Sequence, residues 1–463
     1  MKKVHILIQG LLLAFMCLGI GACSNDNEPE MNQEKSETHT IPMEFIGNVV
    51  NYDSQTGPSH VPSRAATSSW SNGDKIYLTF YSGTNKISGE ATYSSSGWSV
   101  SFDGNLATGS SLKCEARYFV NATFQSSSLV SLNANSEIYE DLNGKYTYSN
   151  GSLTVQATLS PKTGRLRFKG ASGTKIYLTG ISAYTTFSPG TNAFSSSNAM
   201  ITATVASSGY TPYIYGAFAS SDRNIGLIGS NFAFTRTCTS EVLKAGASGY
   251  MAIPSESSHN NWRSGLFVKA SGVEFKMIPV AGLSSGFFLI GETEVTTALY
   301  NSVNGSSSTS QLPISSIYYS DIVNWIEKLN SQTMLNFSVP SAAQWKYAAK
   351  GGNKSQNYTY SGSNTPGDVA WYSGNCSSKQ NVKTKAPNEL GIYDMSGNVG
   401  EFVSDMSGSY NYVYGGCYKS ASTYITSTSG VSSYYNSWGP AGYSYSYSSF
   451  DVGAGFRLIL TCP

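Results

Sequence analysis

The sequence predicts a mainly β N-terminal half, built as two β-sandwich lobes, followed by an α+β C-terminal domain. Short alternating or aromatic-rich runs, separated by Gly, Ser and Asn, recur along the first half without helical periodicity between them. Three helix signals appear only in the second half. The length of 463 residues is sufficient for about three domains.

The composition is typical of an extracellular β protein. Charged residues make up only 12% of the chain and the net charge is +1, whereas the chain holds 32 Tyr and 46 Gly. A nucleic-acid groove needs clustered cations to neutralise phosphates, so we expect no nucleic acid among the partners.

The first residues have the pattern of an export signal. Lys2 and Lys3 precede an apolar run at residues 6–18, which is too short for a transmembrane helix. The run leads to Ile20-Gly21-Ala22-Cys23, which resembles a bacterial lipobox. That resemblance implies a signal peptide at residues 1–22, lipidation of Cys23 and attachment to the outer membrane. Residues 23–40 are predicted to be an acidic, solvated tether, similar to the export tag of Bacteroides surface lipoproteins.

The N-terminal half is predicted to contain one lobe at residues 41–160 and a second at residues 161–275. The strand predictions within it are residues 75–80, 115–120, 153–159, 165–168, 175–178 and 250–253.

An Arg-containing segment lies near the start of the first lobe. Arg64 is followed by Trp70-Ser71-Asn72-Gly73-Asp74-Lys75-Ile76, and with the lipobox and tether this half resembles the fimbrillin family of Bacteroidales lipoprotein pilins. The resemblance implies that an Arg-specific protease cuts at Arg64 and that other pilin subunits bind by donor-strand complementation. A solvated arginine in a flexible lead is the alternative.

Three helices are predicted in the second half. Thr296 is placed to cap a helix at residues 297–303, and Ser341 is placed to cap a helix at residues 342–350. Between them, Ser320 is placed to cap a helix that has one apolar face. The apolar face of the second helix is predicted to contain Ile322, Val323, Trp325, Ile326 and Leu329.

Ordered sequence blocks cover nearly all of residues 276–463. They lie at residues 292–296, 312–314, 339–352, 368–372, 387–402, 415–416 and 455–458. In this order they resemble the formylglycine-generating enzyme, or sulfatase-modifying factor, family. The resemblance implies a C-type lectin-like fold for this domain.

The residues of the family's oxidase chemistry are missing. At the spacings of its cysteine pair this chain has Ser420 and Ile425, and Cys417 stands where Ser is usual. No histidine occurs in residues 276–463, which also excludes a His-assisted nucleophile there. We therefore predict that the protein is not an enzyme and needs no cofactor.

Three further expectations concern polar residues of this domain and the cysteines. Asp394 and Glu401 are expected to be structural. Asn398, Val399 and Glu401 stand where some relatives bind calcium, although Gly400 and Phe402 replace the usual Trp. The five cysteines beyond Cys23 are widely spaced and give no disulfide framework. We expect these cysteines to be buried thiols, and we leave open whether two of them form one disulfide bond.

The stretch between residues 406 and 450 has the composition of a binding surface. Tyr provides a large amphipathic area at low entropic cost, and Ser, Asn and Gly provide adaptable hydrogen bonding. This composition resembles the variable proteins of diversity-generating retroelements. The predicted ligand contacts are Tyr410, Asn411, Tyr412, Tyr414, Ser420, Ser422, Tyr424, Tyr434, Tyr435, Asn436, Tyr443, Tyr445, Ser446 and Tyr447.

These features together predict a lipid-anchored surface adhesin, with the role of a pilus tip subunit. Its ligand is expected to be a host, bacterial or phage surface protein or glycan. Two alternatives remain: an oxidase of the formylglycine-generating type that acts on a protein cysteine, and a fixed carbohydrate-binding lipoprotein.

Overall fold

The computed structural model describes residues 38–50, 70–126, 129–216, 223–238, 244–254, 262–284, 286–407, 410–426 and 454–462. Cys23 and Arg64 lie outside these ranges, as do Tyr434, Tyr435, Asn436, Tyr443, Tyr445, Ser446 and Tyr447. Within the ranges, none of the helices combines the length and apolar character that crossing a bilayer requires.

Ten strands form the first part of the described chain. Eight of them make one sheet, in the order β1-β4-β3-β2-β5-β8-β10-β9. The strands are β1 (Thr38–Val49), β2 (Lys75–Ser82), β3 (Asn85–Ser94), β4 (Gly97–Asp103), β5 (Gly109–Val120), β6 (Thr123–Ser126), β7 (Leu129–Ser131), β8 (Glu137–Asp141), β9 (Lys145–Ser149) and β10 (Ser152–Pro161).

Strand β1 closes this sheet on itself. Its first half pairs antiparallel with β4, from Thr38 opposite Asp103 to Met43 opposite Trp98. From Met43 onward it pairs in parallel with β10, ending with Val49 opposite Leu159. Of the 12 residues of β1, only Met43 is buried, and Ile41, Phe45 and Val49 are partly buried against the core of this sheet.

The next ten strands are β11 (Gly164–Lys169), β12 (Lys175–Thr179), β13 (Ala183–Ser188), β14 (Ala193–Ser197), β15 (Ile201–Thr204), β16 (Ile214–Gly216), β17 (Arg223–Ile228), β18 (Ala233–Cys238), β19 (Ser248–Ala252) and β20 (Arg263–Ser264). They form the sheets β16-β11-β19 and β15-β12-β17-β18-β20. A third sheet, β14-β13-β7-β6, joins strands from both sides of residue 160. Every strand predicted from the sequence overlaps an observed strand, and the predicted β class of this half is confirmed.

The last part mixes strands and helices, as predicted. Its elements are β21 (Leu266–Ala270), β22 (Val273–Val280), β23 (Phe288–Gly291), α1 (Thr297–Val303), α2 (Tyr319–Thr333), β24 (Phe337–Ser338), α3 (Ala342–Ala349), the 3-10 turn Gly352–Lys354, α4 (Pro366–Val369), β25 (Glu401–Ser407), β26 (Tyr410–Tyr414), the 3-10 turn Ser422–Tyr424, β27 (Gly455–Phe456) and β28 (Ile459–Thr461). Two sheets result, in the orders β21-β22-β23-β28-β24 and β26-β25-β27.

The helix caps agree with the predictions in two of three cases. The Thr296 side chain accepts a hydrogen bond from the Leu299 amide at the start of α1. Ser341 and Gln344 form a capping box at α3. Helix α2 instead begins at Tyr319, and its N-cap Tyr318 makes no side-chain cap bond, so the predicted Ser320 cap is wrong.

Helix α2 buries most of its predicted apolar face. Ile322, Trp325, Ile326 and Leu329 are buried, and Trp325 packs edge-on against Phe456 with ring centroids 5.3 Å apart. Val323 is the exception, because 39% of it is exposed. This packing fixes α2 against β27, which pairs with β25.

Candidate binding face

A buried ion pair lies under the β25–β26 hairpin. Glu401 begins β25 and Arg457 follows β27; their side chains are 1% and 0% exposed. The guanidinium Nη2 lies 2.7 Å from Glu401 Oε1, and Nε lies 3.0 Å from Oε2. The Trp345 indole N–H donates to Oε2 at 2.6 Å. Charge-assisted bonds of this kind are the strong ones in a protein interior.

Arg457 also ties together two separate segments. Its Nη1 donates to the Gly291 carbonyl at 2.9 Å and its Nη2 to the Tyr393 carbonyl at 2.8 Å. The guanidinium thus connects three parts of the chain: the end of β23, the segment before β25, and β27. Its N–H groups donate to both carbonyls and to the Glu401 carboxylate.

A second buried carboxylate, Glu294, holds the segment that leads into β25. Its Oε2 accepts from the Asn398 amide at 2.8 Å and its Oε1 from the Val399 backbone N–H at 3.0 Å. Burial, with smaller contributions from the nearby carboxylates, raises the pKa of Glu294 well above its usual range.

Asp394 completes this polar cluster. Its Oδ2 accepts from the Lys383 backbone N–H at 2.7 Å, while its Oδ1 has no hydrogen-bond partner among the described residues. Burial raises the pKa of Asp394 to about 6. Asp394 and Glu401 therefore act as structural groups inside the domain, in agreement with the sequence-based expectation.

The calcium expectation does not fit this arrangement. The Glu401 carboxylate is bound by Arg457 and Trp345, and Asn398 Oδ1 accepts from the Gln380 backbone N–H at 2.9 Å. A fixed guanidinium 2.7 Å from the carboxylate would also repel a cation. In the part of the chain that the structure describes, no cluster of three or more His, Cys, Asp or Glu side chains could hold a metal ion.

The positions of the oxidase cysteines carry other contacts. Ser420 Oγ accepts from the Cys417 backbone N–H at 3.0 Å. Ile425 is buried in a small apolar cluster with Val369 and Ala370. These two positions therefore contribute to local packing and hydrogen bonding.

The predicted contacts divide into exposed and inward-facing residues. Tyr424 is 49% exposed, and Asn411, Tyr412 and Ser422 are half-buried. Tyr414 is only 6% exposed and packs on Trp345 with ring centroids 5.5 Å apart. Burial removes Tyr414 from any surface that a ligand could touch.

The structure says less about the exposure of the other predicted ligand contacts. The Ser420 hydroxyl is engaged by Cys417. Tyr410 is described by its backbone, which pairs with Ser407 across the hairpin. The remaining predicted contacts lie outside the described residues.

Two neighbours on β25 were missed by sequence reasoning. Met406 is 56% exposed, and Asp405 Oδ2 accepts from the Ala342 amide at the start of α3 at 2.6 Å. The pairing of β25 with β26 shifts register between Phe402 and Met406, and such an irregularity re-aims side chains. The sequence signal was an apolar residue directly before the Tyr-rich stretch.

We define the binding face as the exposed and half-buried residues Met406, Asn411, Tyr412, Ser422 and Tyr424 along the β25–β26 hairpin and the turn after it, with Asn411 and Tyr412 on opposite sides of β26. A rigid support lies beneath it, because Trp345 connects Tyr414 on β26 with Glu401 on β25. A face of this kind can bind through aromatic area and neutral hydrogen-bonding groups.

Comparison with known proteins supports the assignment of the C-terminal part. Residues 265–461 match the model of the sulfatase-modifying factor enzyme 1-like domain, which confirms the resemblance predicted there. One curated relative, the chaperone protein LppX of Paenibacillus barcinonensis, is 42% identical over 100 residues. The match covers 18% of this chain and 35% of the relative, so the chain spans about a third of that protein's length.

Several solved structures are similar to this chain. Variable protein 1 of Treponema denticola is 22% identical, with a TM-score of 0.33, and the match covers 42% of this chain and 98% of that one. A fimbrial protein of Bacteroides ovatus is 11% identical, with a TM-score of 0.27 and coverage of 59% and 71%. A fimbrial assembly protein of Parabacteroides distasonis is 9% identical, with a TM-score of 0.26 and coverage of 55% and 97%.

Proposed function

We propose that this protein is a lipid-anchored surface adhesin that serves as the tip subunit of a pilus. It binds its ligand without covalent chemistry, through the binding face and the Tyr-rich segment that follows. The observation that carries the proposal is a group of exposed or half-buried Tyr, Ser, Asn and Met side chains on a hairpin that a fully hydrogen-bonded ion pair supports. The ligand is a protein or a glycan on a host, bacterial or phage surface.

The buried support favours recognition over catalysis. The Glu401 carboxylate is neutralised by Arg457, and the oxidase positions hold Ser420 and Ile425. Rigid aromatic side chains on a fixed scaffold lose little conformational entropy when a ligand binds.

Strand β1 supports the role of an acceptor in the fibre. A cut at Arg64 would separate β1 from the rest of the chain, because β1 ends at Val49. If β1 then left, β4 and β10 would each present unpaired backbone groups, and an extended segment of another pilin could pair with them.

Strand β28 supports the terminal position. It pairs with β23 on one side and with β24 on the other, and Leu460 is fully buried. Donating this strand to a neighbour would open the sheet of the C-terminal domain. A subunit that accepts a strand and gives none ends a fibre.

The face is tested by alanine substitution. We expect Tyr424→Ala, and Tyr443→Ala, Tyr445→Ala and Tyr447→Ala together, to weaken adhesion of protein-coated beads to mucin or to whole bacterial cells by at least about tenfold. Tyr250→Ala is the matched control, since Tyr250 is 47% exposed in the N-terminal half. Unchanged adhesion by both the Tyr424 variant and the triple variant, with unchanged circular dichroism, contradicts the assignment.

Diversification of the face is tested separately. Codons 400–463 are sequenced deeply in a population grown from one cell. Substitutions confined to adenines at the proposed contact positions support a diversified adhesin. A uniform sequence, together with the same glycan-array profile across strains, favours the fixed carbohydrate-binding lipoprotein.

A further inference from the structure

Two segments that lie far apart in sequence run side by side next to the binding face. The Asn398 backbone N–H donates to the Trp371 carbonyl at 2.8 Å, and the Asn398 carbonyl accepts from the Tyr418 N–H at 2.9 Å. Farther along, the Ser373 N–H donates directly to the Ser420 carbonyl at 3.0 Å. The segment 371–376 is therefore fixed against the segment 417–420.

Each segment carries one cysteine close to these backbone bonds. Cys376 Sγ lies 3.4 Å from the Tyr372 carbonyl oxygen, in the peptide unit whose N–H belongs to Ser373. Cys417 Sγ lies 3.4 Å from Ser420 Oγ. Both cysteines are half-buried free thiols in this structure. Burial raises the pKa of Cys376, and the neighbouring Cys417 adds to the shift.

The other described cysteines are distributed differently. Cys114 lies in the core of the first sheet and Cys238 in the core of the β11–β20 region. Cys462 packs at the edge of the C-terminal core. Among the residues that the structure describes, Cys376 and Cys417 are the two thiols that hydrogen-bonded segments bring together.

We propose that Cys376 and Cys417 form a disulfide bond in the exported protein. Both S–H bonds break and one S–S bond forms. The two electrons and two protons pass to the disulfide of an extracytoplasmic thiol oxidant, which is reduced to a dithiol. The bond requires the two Cα atoms to lie no more than about 7 Å apart, with the side chains oriented toward each other.

The bond would anchor the start of the Tyr-rich segment. Cys417 directly follows Gly415 and Gly416, whose φ angles are +89° and +66° and which end β26 in a conformation that glycine adopts easily. A covalent link from this turn to residue 376 restricts the segment that carries Ser422 and Tyr424. Restricting a binding loop lowers the entropy lost on binding.

Mass spectrometry tests the disulfide on the full chain. Protein exported by its own signal is denatured in iodoacetamide without reductant and digested. We expect a cross-linked peptide pair containing Cys376 and Cys417, and its loss in Cys376→Ser, while Cys114→Ser retains it. The wild-type measurement requires no variant to fold.

A second experiment tests the pairing of the two cysteines without export, because export is part of the proposed function. Reduced, folded protein purified from the cytoplasm is incubated with oxidised glutathione and then alkylated. The same cross-link is expected. Carbamidomethyl groups on both cysteines in both experiments, or a cross-link to a different cysteine, overturn the proposal and leave the adhesion assay unaffected.

Discussion

Arg457 has no access to solvent, and its guanidinium is the centre of the polar cluster under the binding face. It donates to Glu401 and to the carbonyls of Gly291 and Tyr393. Removing one member of a buried pair leaves the other charge without compensation, and this loss exceeds the pair's own contribution to stability.

We therefore expect Arg457→Met to lower the free energy of unfolding by about 3–5 kcal/mol. Lys383→Met is the matched control, because Lys383 is 46% exposed and its partner Glu292 keeps a second salt bridge to Lys276. The control should lose no more than about 1 kcal/mol. Urea unfolding followed by tryptophan fluorescence measures both, and equal losses contradict the expectation.

Asp394 should make stability depend on pH. Its pKa in the folded protein is about 6, above the ordinary value of 3.8. Its stabilising contribution is therefore fully present below about pH 3.8 and is lost as the pH rises through about 6. Asn in its place keeps an acceptor for the Lys383 amide and tolerates the φ of +59°.

The stability of Asp394→Asn relative to the wild type should thus be greatest near about pH 7 and decline toward about pH 4. Glu115→Gln provides a contrast of opposite sign. Burial opposes the shift, but hydrogen bonds from Tyr81, Asn192 and Arg117 hold the pKa of Glu115 at about 2, below the ordinary 4.5. Its contribution is lost as the pH falls below 4.5 through about 2. Denaturation curves of both variants and the wild type, recorded from about pH 2 to about pH 7, measure these stability differences. A stability difference between Asp394→Asn and the wild type that does not change with pH contradicts the expectation.

Sequence reasoning at the residue scale was strongest where a block of residues identified the fold. It predicted structural roles for Asp394 and Glu401, and the geometry agrees. It could not separate Tyr414 from Tyr412 and Tyr424, because burial depends on how Trp345 of α3 packs on the hairpin. Met406 was missed because the register shift in β25 depends on pairing with β26.

At the scale of elements, β1 is the strand that a cut at Arg64 would separate from the rest of the chain. It buries Met43, packs Ile41, Phe45 and Val49 partly against the core, and joins β4 to β10 through backbone hydrogen bonds. Edge strands that lose such a partner expose their amides to solvent.

Cleavage with an Arg-specific protease should therefore increase hydrogen exchange in β4 and β10, once β1 has dissociated. Amides of β22 and β23, in the C-terminal sheet, are the internal reference and should not change. Arg64→Gln is the uncut control. Unaltered exchange in β4 and β10 after complete cleavage and removal of the N-terminal fragment is the outcome that would falsify the acceptor role.

The sequence predicted some features of the helices and strands correctly and missed others, for a physical reason. Caps at Thr296 and Ser341 depend on neighbouring residues, and the sequence shows them directly. The start of α2 was wrong because Tyr318 takes the N-cap position without a side-chain bond. The parallel pairing of β1 with β10 depends on residues about 110 positions apart, and local patterns carry no signal for it.

At the scale of the whole molecule, the acceptor and terminal features together give a testable position in a fibre. Antibody against the C-terminal domain should label pili at one end, with at most one cluster per fibre, in immunogold electron microscopy. The reason is that β28 is held between β23 and β24 and is not free for donation. Labelling along the shaft contradicts the tip position. Antibody against a shaft pilin is the control for fibre integrity.

The pairing of β28 also has a consequence for biosynthesis. The sheet that carries α1 and α2 lacks its inner strand until residues 459–461 have been synthesised. Until then β23 and β24 have no common neighbour, and apolar residues such as Leu289 remain uncovered. Chains interrupted anywhere earlier would expose this surface to proteases and chaperones. The fold therefore makes synthesis of residues 459–461 a condition for forming the sheet of the C-terminal part.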